Sequence, residues 1–259
     1  MQLFALKSRL IRPGDHLPEI LFESLSRARL RIENGDILAI ASKVVSIVER
    51  NILPLREVEP TDFAKKLGRR FGLPPNFVQI VIAEADSVYA GVPGILLTIK
   101  NGDATANSGV DRKNAPPQTV IPWPLNPHRS AEKIRKAISQ KKRKKIGVVI
   151  VDSRVTPLRL GTVGLAIACS GFQPVSDERG VNDLYGRKVS ITFRALADSI
   201  AAAAQLLMGE TRETTPFVLV RDAPIKLADR YRLRPMTLPV GDCLYMSQIP
   251  RPTSKGRFP

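Results

Sequence analysis

The sequence predicts a mixed α/β (α+β) fold. Three observations lead there: helical and strand-like patterns interleave along the whole chain, residues 146–153 form a strand apolar enough to be covered on both faces, and 259 residues with 43% hydrophobic content can bury a sizeable core. The expected organisation is one unit over residues 1–248, built as one large domain or as two closely packed lobes, with a flexible tail at 249–259.

Each element has its own signal. Leu17, Ile20, Leu21 and Leu25 fall at helical spacing, predicting a helix over 17–32 that Asn34-Gly35 ends. Residues 36–42 then read as a buried strand with a polar exit. Thr61-Asp62 opens and Gly72 closes a helix over 61–71, and a second helix follows over 75–85. Residues 95–100 and 103–107 form a hairpin, because Asn101-Gly102 supplies the positive φ angles of a type I′ turn. A proline-rich connector, 116–127, leads to a helix over 130–139 and then to the strand at 146–153. An alanine-rich helix over 195–208 stops at Gly209 before a strand at 217–220.

Composition narrows the function. No run approaches the roughly 20 apolar residues that a membrane-spanning helix needs, and Met1 to Lys7 lacks the layout of a signal peptide, so a cytoplasmic protein is expected. With only Cys169, Cys243, His16 and His128 available, any metal must be held by oxygen. The net charge of +16 favours anionic partners such as nucleotides, phosphodiesters or nucleic acid. Aromatic residues are only 5% of the chain, and no RNA- or DNA-reading motif accompanies the basic ones. The run Lys141-Lys142-Arg143-Lys144-Lys145 is expected to be a solvated turn whose cations complement a helix C-terminus.

Neither a Gly-x-x-x-x-Gly-Lys-Ser/Thr loop nor a Gly-x-Gly-x-x-Gly turn is present. Residues 106–116 pack amides and the Asp111 carboxylate around Gly109. That suits a hard cation, or equally a polar turn in which Asp111 and Asn114 cap backbone amides. Asp152-Ser153 stands at the carboxyl end of a strand, where open α/β sheets place ligands, though Asp152 could merely cap the next element. Glu210 after Gly209 reads on its own as an exposed acid. Arg179 and Arg187, within 177–187, could contact a carboxylate or phosphate, or belong to a charged surface loop.

In order along the chain stand Leu10-Ile11-Arg12-Pro13-Gly14-Asp15, Ser42-Lys43-Val44-Val45-Ser46, Ala106-Asn107-Ser108-Gly109-Val110-Asp111 with Asn114, and Asp152-Ser153. Arg179-Gly180 with Asp183-Leu184-Tyr185-Gly186-Arg187 follows, then Ala197-Asp198 leading to Met208-Gly209-Glu210. Together these segments resemble the coenzyme F420-0:L-glutamate ligase family over most of the chain. The resemblance implies catalytic carboxylates at Asp111, Asp152 and Glu210, with Asp111 and Asp152 holding one divalent cation while Ser153 and Glu210 help hold a second. It implies GTP against Ser8, Arg9, Leu10, Ile11, Ser42, Lys43, Asn114, Met208, Gly209, Thr211, Arg212, Glu213, Thr214 and Thr215. It further implies magnesium or manganese, potassium as an additional cation, and a homodimer of intertwined α/β fold that adds glutamate to a deazaflavin precursor.

The residue types suit that chemistry, since two cations would neutralise phosphate oxygens while a carboxylate is activated as an acyl phosphate. Some positions depart from the family pattern: Ile47 replaces a lysine that contacts the nucleotide, Arg50 a glycine, and Thr156 an arginine before proline. Lys43 or Arg154 is expected to supply the missing charge. Two other functions remain open at this point: a divergent ligase acting on another phosphorylated acid, and a basic nucleic-acid-binding protein on a relic ligase scaffold.

Overall fold

Branched apolar runs bounded by turns give this chain its central strands, and amphipathic segments give the helices that cover them. The computed structural model describes residues 1–227 and 235–250. In chain order the elements are β1 (Gln2–Leu6), α1 (Leu17–Arg27), β2 (Ile37–Ala41), α2 (Ser42–Val48), β3 (Leu53–Pro54), α3 (Asp62–Phe71), α4 (Pro75–Glu84), β4 (Ser87–Val92), β5 (Ile95–Lys100) and β6 (Asp103–Ala106). There follow β7 (Thr119–Val120), α5 (Pro127–Lys142), β8 (Gly147–Val155), β9 (Thr162–Ser170), β10 (Val175–Asp177), β11 (Phe193–Ala195), α6 (Leu196–Met208) and β12 (Phe217–Arg221).

The main sheet has the order β1-β12-β2-β8-β9. It is mixed: β2 and β8 run parallel, from Ile37 opposite Gly147 to Ala41 opposite Val151, and the other pairs are antiparallel. One face packs on α1 and α5 through Leu21, Leu38, Ile138 and Ile150; the other packs on α6 through Val149, Ala201, Ala204 and Val218. That two-sided cover is why β2 and β8 read as unbroken apolar runs. A smaller unit joins α3 and α4 to the β4-β5-β6 sheet around Leu67, Phe77, Val81 and Leu96. Beyond the main sheet, Met246 and Cys243 pack on Tyr89 and Ile99 and cover part of β4 and β5.

Several expectations hold: Thr61 caps α3 by accepting from the Ala64 amide, Gly72 closes it in the left-handed region, and Asn101 and Gly102 turn at φ 53 and 82. Others need correction. The helix expected to reach residue 32 ends at Arg27, because Arg29 turns left-handed (φ 55), with its amide bonded to Ser26 and the Leu30 amide to Leu25. Those two bonds form a Schellman closure without glycine. The helix expected at 130–139 starts at Pro127, where the Asn126 side chain accepts from the Arg129 amide, and runs to Lys142. Asp152 is not at a strand end: β8 leaves the edge of β2 at Val151 and continues to Val155 as a hairpin with β9.

Of the basic run, Lys141 and Lys142 are the last residues of α5 and lie over the Phe22 ring, and the turn expected over the whole run starts only at Arg143, which is left-handed. Cys169 and Cys243 are free thiols, and burial pushes Cys169 up to about 12. No helix among the described residues is long and apolar enough to cross a membrane. Of the expected tail, 251–259 lies outside the described residues, and Ile249 packs beside Met246.

Candidate active site

The sheet topology brings four separate segments to one edge. β1 runs parallel to β2 and β12 antiparallel to it, so the loop after β1, the start of α2 after β2 and the loop before β12 all emerge together. The Ser8 amide bonds the Thr214 carbonyl at 3.0 Å and the Ala41 amide bonds the Pro216 carbonyl at 2.9 Å, locking these segments to one another. Asp152 and Ser153 arrive on β8 just past the end of β2. Asp111 arrives from the turn after β6, held there by an antiparallel bridge to Ile121. The resulting cleft has a volume of about 690 Å³.

The residues that the resemblance implies for nucleotide and cation all line this cleft: Ser8 to Ile11, Ser42, Lys43, Asp111, Asn114, Asp152, Ser153 and Met208 to Thr215. Arg179 and Arg187 are elsewhere, paired within their own exposed segment to Asp177 and Asp183 at 2.8 and 2.9 Å. Arg154 also does not line the cleft; it faces the Asp103 carboxyl, and its Nε is buried without a hydrogen-bond partner. Of the two cations expected to offset Ile47, only Lys43 is therefore in position. Ile47 itself, with Val44 and Ile52, gives the cleft an apolar wall.

The acids do not stand bare. Lys43 Nζ lies 2.6 Å from Asp111, and Lys113 Nζ lies 3.0 Å from Glu210, which also accepts from Gln205 at 2.6 Å and from Thr162 at 3.1 Å. Burial works to raise the Glu210 carboxyl, but the Lys113 and Gln205 hydrogen bonds outweigh it and hold the group below the usual range. Lys113 is raised, first by its bond to Glu210 and further by Asp111 and Asp152, so all three carboxylates act on one ammonium. Asp152 is pushed upward by burial, against a hydrogen bond from Trp123 and with the Asp111 charge adding to the rise. Asn114 crosses the cleft to the Thr211 carbonyl at 2.6 Å.

Among the described residues, no three Asp, Glu, His or Cys side chains form a cage for one metal ion. Magnesium-like cations do not need one, because they take one or two protein carboxylates and fill the shell with water and phosphate. Two carboxylates from β8 and the Asp111 turn, with a third across the cleft, fit that demand. Lys113, Gln205, Thr162 and Trp123 escaped sequence reasoning. The available signals were a lysine two places after Asp111 and a lone tryptophan in the proline-rich connector.

The upstream loop is shaped by one ion pair. Arg9 holds Asp15 in two bonds, at 2.7 and 3.0 Å, and the Arg12 amide adds a third. The Arg9 guanidinium, with that amide, brings Asp15 down to about 2.

The profile described as F420-0:Gamma-glutamyl ligase matches residues 5–222. The chain is similar to the coenzyme F420:L-glutamate ligase of Methanopyrus kandleri, 43% identical over 214 residues that span 82% of this chain and 83% of the relative. The enzyme of the same name from Archaeoglobus fulgidus is 40% identical over 82% of this chain and 83% of its own length. That of Methanocaldococcus jannaschii is 39% identical over 76% and 80%.

Proposed function

Because this chain belongs to the F420-0:Gamma-glutamyl ligase family, we propose that it joins L-glutamate by an amide bond to the carboxylate of coenzyme F420-0, consuming GTP with the help of magnesium or manganese. The observation that carries this reading is the convergence of Asp111, Asp152 and Glu210, from three distant stretches, on one cleft that also holds Lys43 and borders Lys113. A carboxylate is a poor acyl donor. In the proposed reaction one of its oxygens attacks the γ-phosphorus of GTP, the bond from that phosphorus to the β-phosphate oxygen breaks, and GDP leaves. The glutamate amine then attacks the acyl carbon, loses a proton, and expels inorganic phosphate.

Asp111 and Asp152 would hold one cation and Glu210 with Ser153 a second. When bound, such ions supply positive charge to the phosphate oxygens of the in-line transfer. The protein's part is placement. Lys43 and Lys113 neutralise Asp111 and Glu210, and with cations on those acids the two ammonium groups would be free to meet phosphate. Ser8 to Ile11 and Met208 to Thr215, tied together through the Ser8–Thr214 bond, would wall the nucleotide.

A second reading, a divergent ligase acting on another phosphorylated acid, is favoured by one observation: Ile47 stands on the cleft wall and Arg154 does not line it, so the basic charge of the family pattern is missing there. Incubation with GTP, Mn²⁺, glutamate and F420-0 separates the two. GDP release that requires both organic substrates is expected. No release with F420-0, but release with another phosphorylated acid, gives the second reading, and steep salt-dependent binding to RNA or DNA without turnover would replace both.

We also propose a homodimer. Leu158, Leu160, Leu184, Tyr185 and Ile191 stand 84% or more exposed on the β8–β9 turn and the β10–β11 segment, apolar side chains that a second copy would cover. Sedimentation equilibrium should give twice the 28.5 kDa chain mass; a monomer at all concentrations would refute the pairing.

A further inference from the structure

Trp123 is the chain's single tryptophan, and it is 2% exposed. A buried indole N–H must find an acceptor. Here the acceptor is Oδ2 of Asp152.

The ring is held from several sides. Ser46 Oγ donates to the Pro122 carbonyl at 2.7 Å and Asn51 Nδ2 to the Trp123 carbonyl at 2.8 Å, anchoring the connector to α2 and the turn after it. On another flank, Gly109 has φ +65, and a Cβ there would lie 2.1 Å from the indole nitrogen. Only glycine lets the ring lie against the turn that carries Asp111. Lys100, paired with Glu84, sits 5.5 Å from the ring centroid.

We propose that Trp123 is a positioning residue for Asp152: by engaging one carboxylate oxygen it presents the other alone to the cleft, and thereby selects small octahedral cations over calcium. The proposal rests on the reading of Asp152 as a cation ligand. Magnesium and manganese sites use single carboxylate oxygens at short distance, whereas calcium sites readily use both oxygens of one carboxylate. An oxygen tied to an indole keeps one lone pair and a fixed direction, which disfavours chelation through both oxygens. Freed from the indole, the same carboxylate can use both.

The test is calorimetric titration of wild-type and Trp123→Phe protein with Mn²⁺ and with Ca²⁺. The phenylalanine keeps the ring and removes the donor. Manganese affinity is expected to fall about ten-fold, the scale of a lost outer hydrogen bond to a ligand, while calcium affinity holds or rises. Unchanged affinities, or an equal loss for both ions, would overturn the proposal, since a merely structural tryptophan would not move their ratio. Should Trp123→Phe fail to fold, the wild type decides through the selectively excited emission of its single tryptophan. A saturable Mg²⁺-dependent change in emission, absent in Asp152→Asn, is expected; binding by calorimetry with unaltered emission would sink the proposal. If wild-type protein binds neither ion, Asp152 is no ligand, and that reading falls first.

Discussion

Asp103, at the start of β6, shows how burial alone can write a pH dependence into one side chain. Desolvation, helped by the nearby Asp198 charge and only partly offset by Arg154, moves its carboxyl from 3.8 to about 7. Between those values the folded chain keeps a proton that the unfolded chain has lost, so stability is greatest below the lower value and declines as pH rises toward about 7. Asp103→Asn should flatten that decline and raise the melting midpoint at pH 8 by ~5 °C, as calorimetry across pH 4 to 8 would show; a wild-type midpoint that climbs over this range would contradict it. Residues of this kind are hard to see in a sequence. Asp103 reads there as the first residue of the hairpin's second strand, because the charges that act on it, Asp198 and Arg154, come from elements far along the chain. Asp111, Asp152 and Glu210 were legible only as an ordered set; singly, each looks like an ordinary turn or surface acid.

At the scale of elements, the sequence was most informative where capping residues were conventional. Thr61 and Gly72 bracket α3, and Asn101-Gly102 makes the β5–β6 turn. It misled where a non-glycine residue turned left-handed: Arg29 ends α1 and Arg143 ends α5, so the stop expected at Gly35 came too late for the first and the second ran on. Arg29→Gly should therefore stabilise the protein by about 1 kcal/mol, the cost of holding a side chain in the left-handed region; denaturant unfolding showing no gain would mean that Arg29 makes compensating contacts. Helix α2 went unread because it begins directly at the end of β2, with Ala41 at its N-cap position and no side-chain cap. The extension of β8 to Val155 was equally hidden, since its hairpin partner β9 was not read as a strand from the sequence.

For the whole molecule, 40 lysines and arginines stand against 24 acids, a net charge of +16. Several of the basic side chains are engaged locally, as in Arg9 on Asp15, Arg179 on Asp177 and Arg221 on the buried Asp36, pairs that add nothing to the surplus. What the cleft keeps is selective: lysines on the acids that would otherwise repel one another. The fold's contribution is to deliver those acids from β8, from the turn after β6 and from the loop before β12 to one edge of a mixed sheet. The most direct test of that arrangement is the number of Mn²⁺ ions held per chain, read by electron paramagnetic resonance with a non-hydrolysable GTP analogue present. Two ions are predicted for the wild type and at most one for Asp111→Asn or Asp152→Asn, each still folded. No bound manganese in the wild type, or two ions regardless of either substitution, would contradict the account.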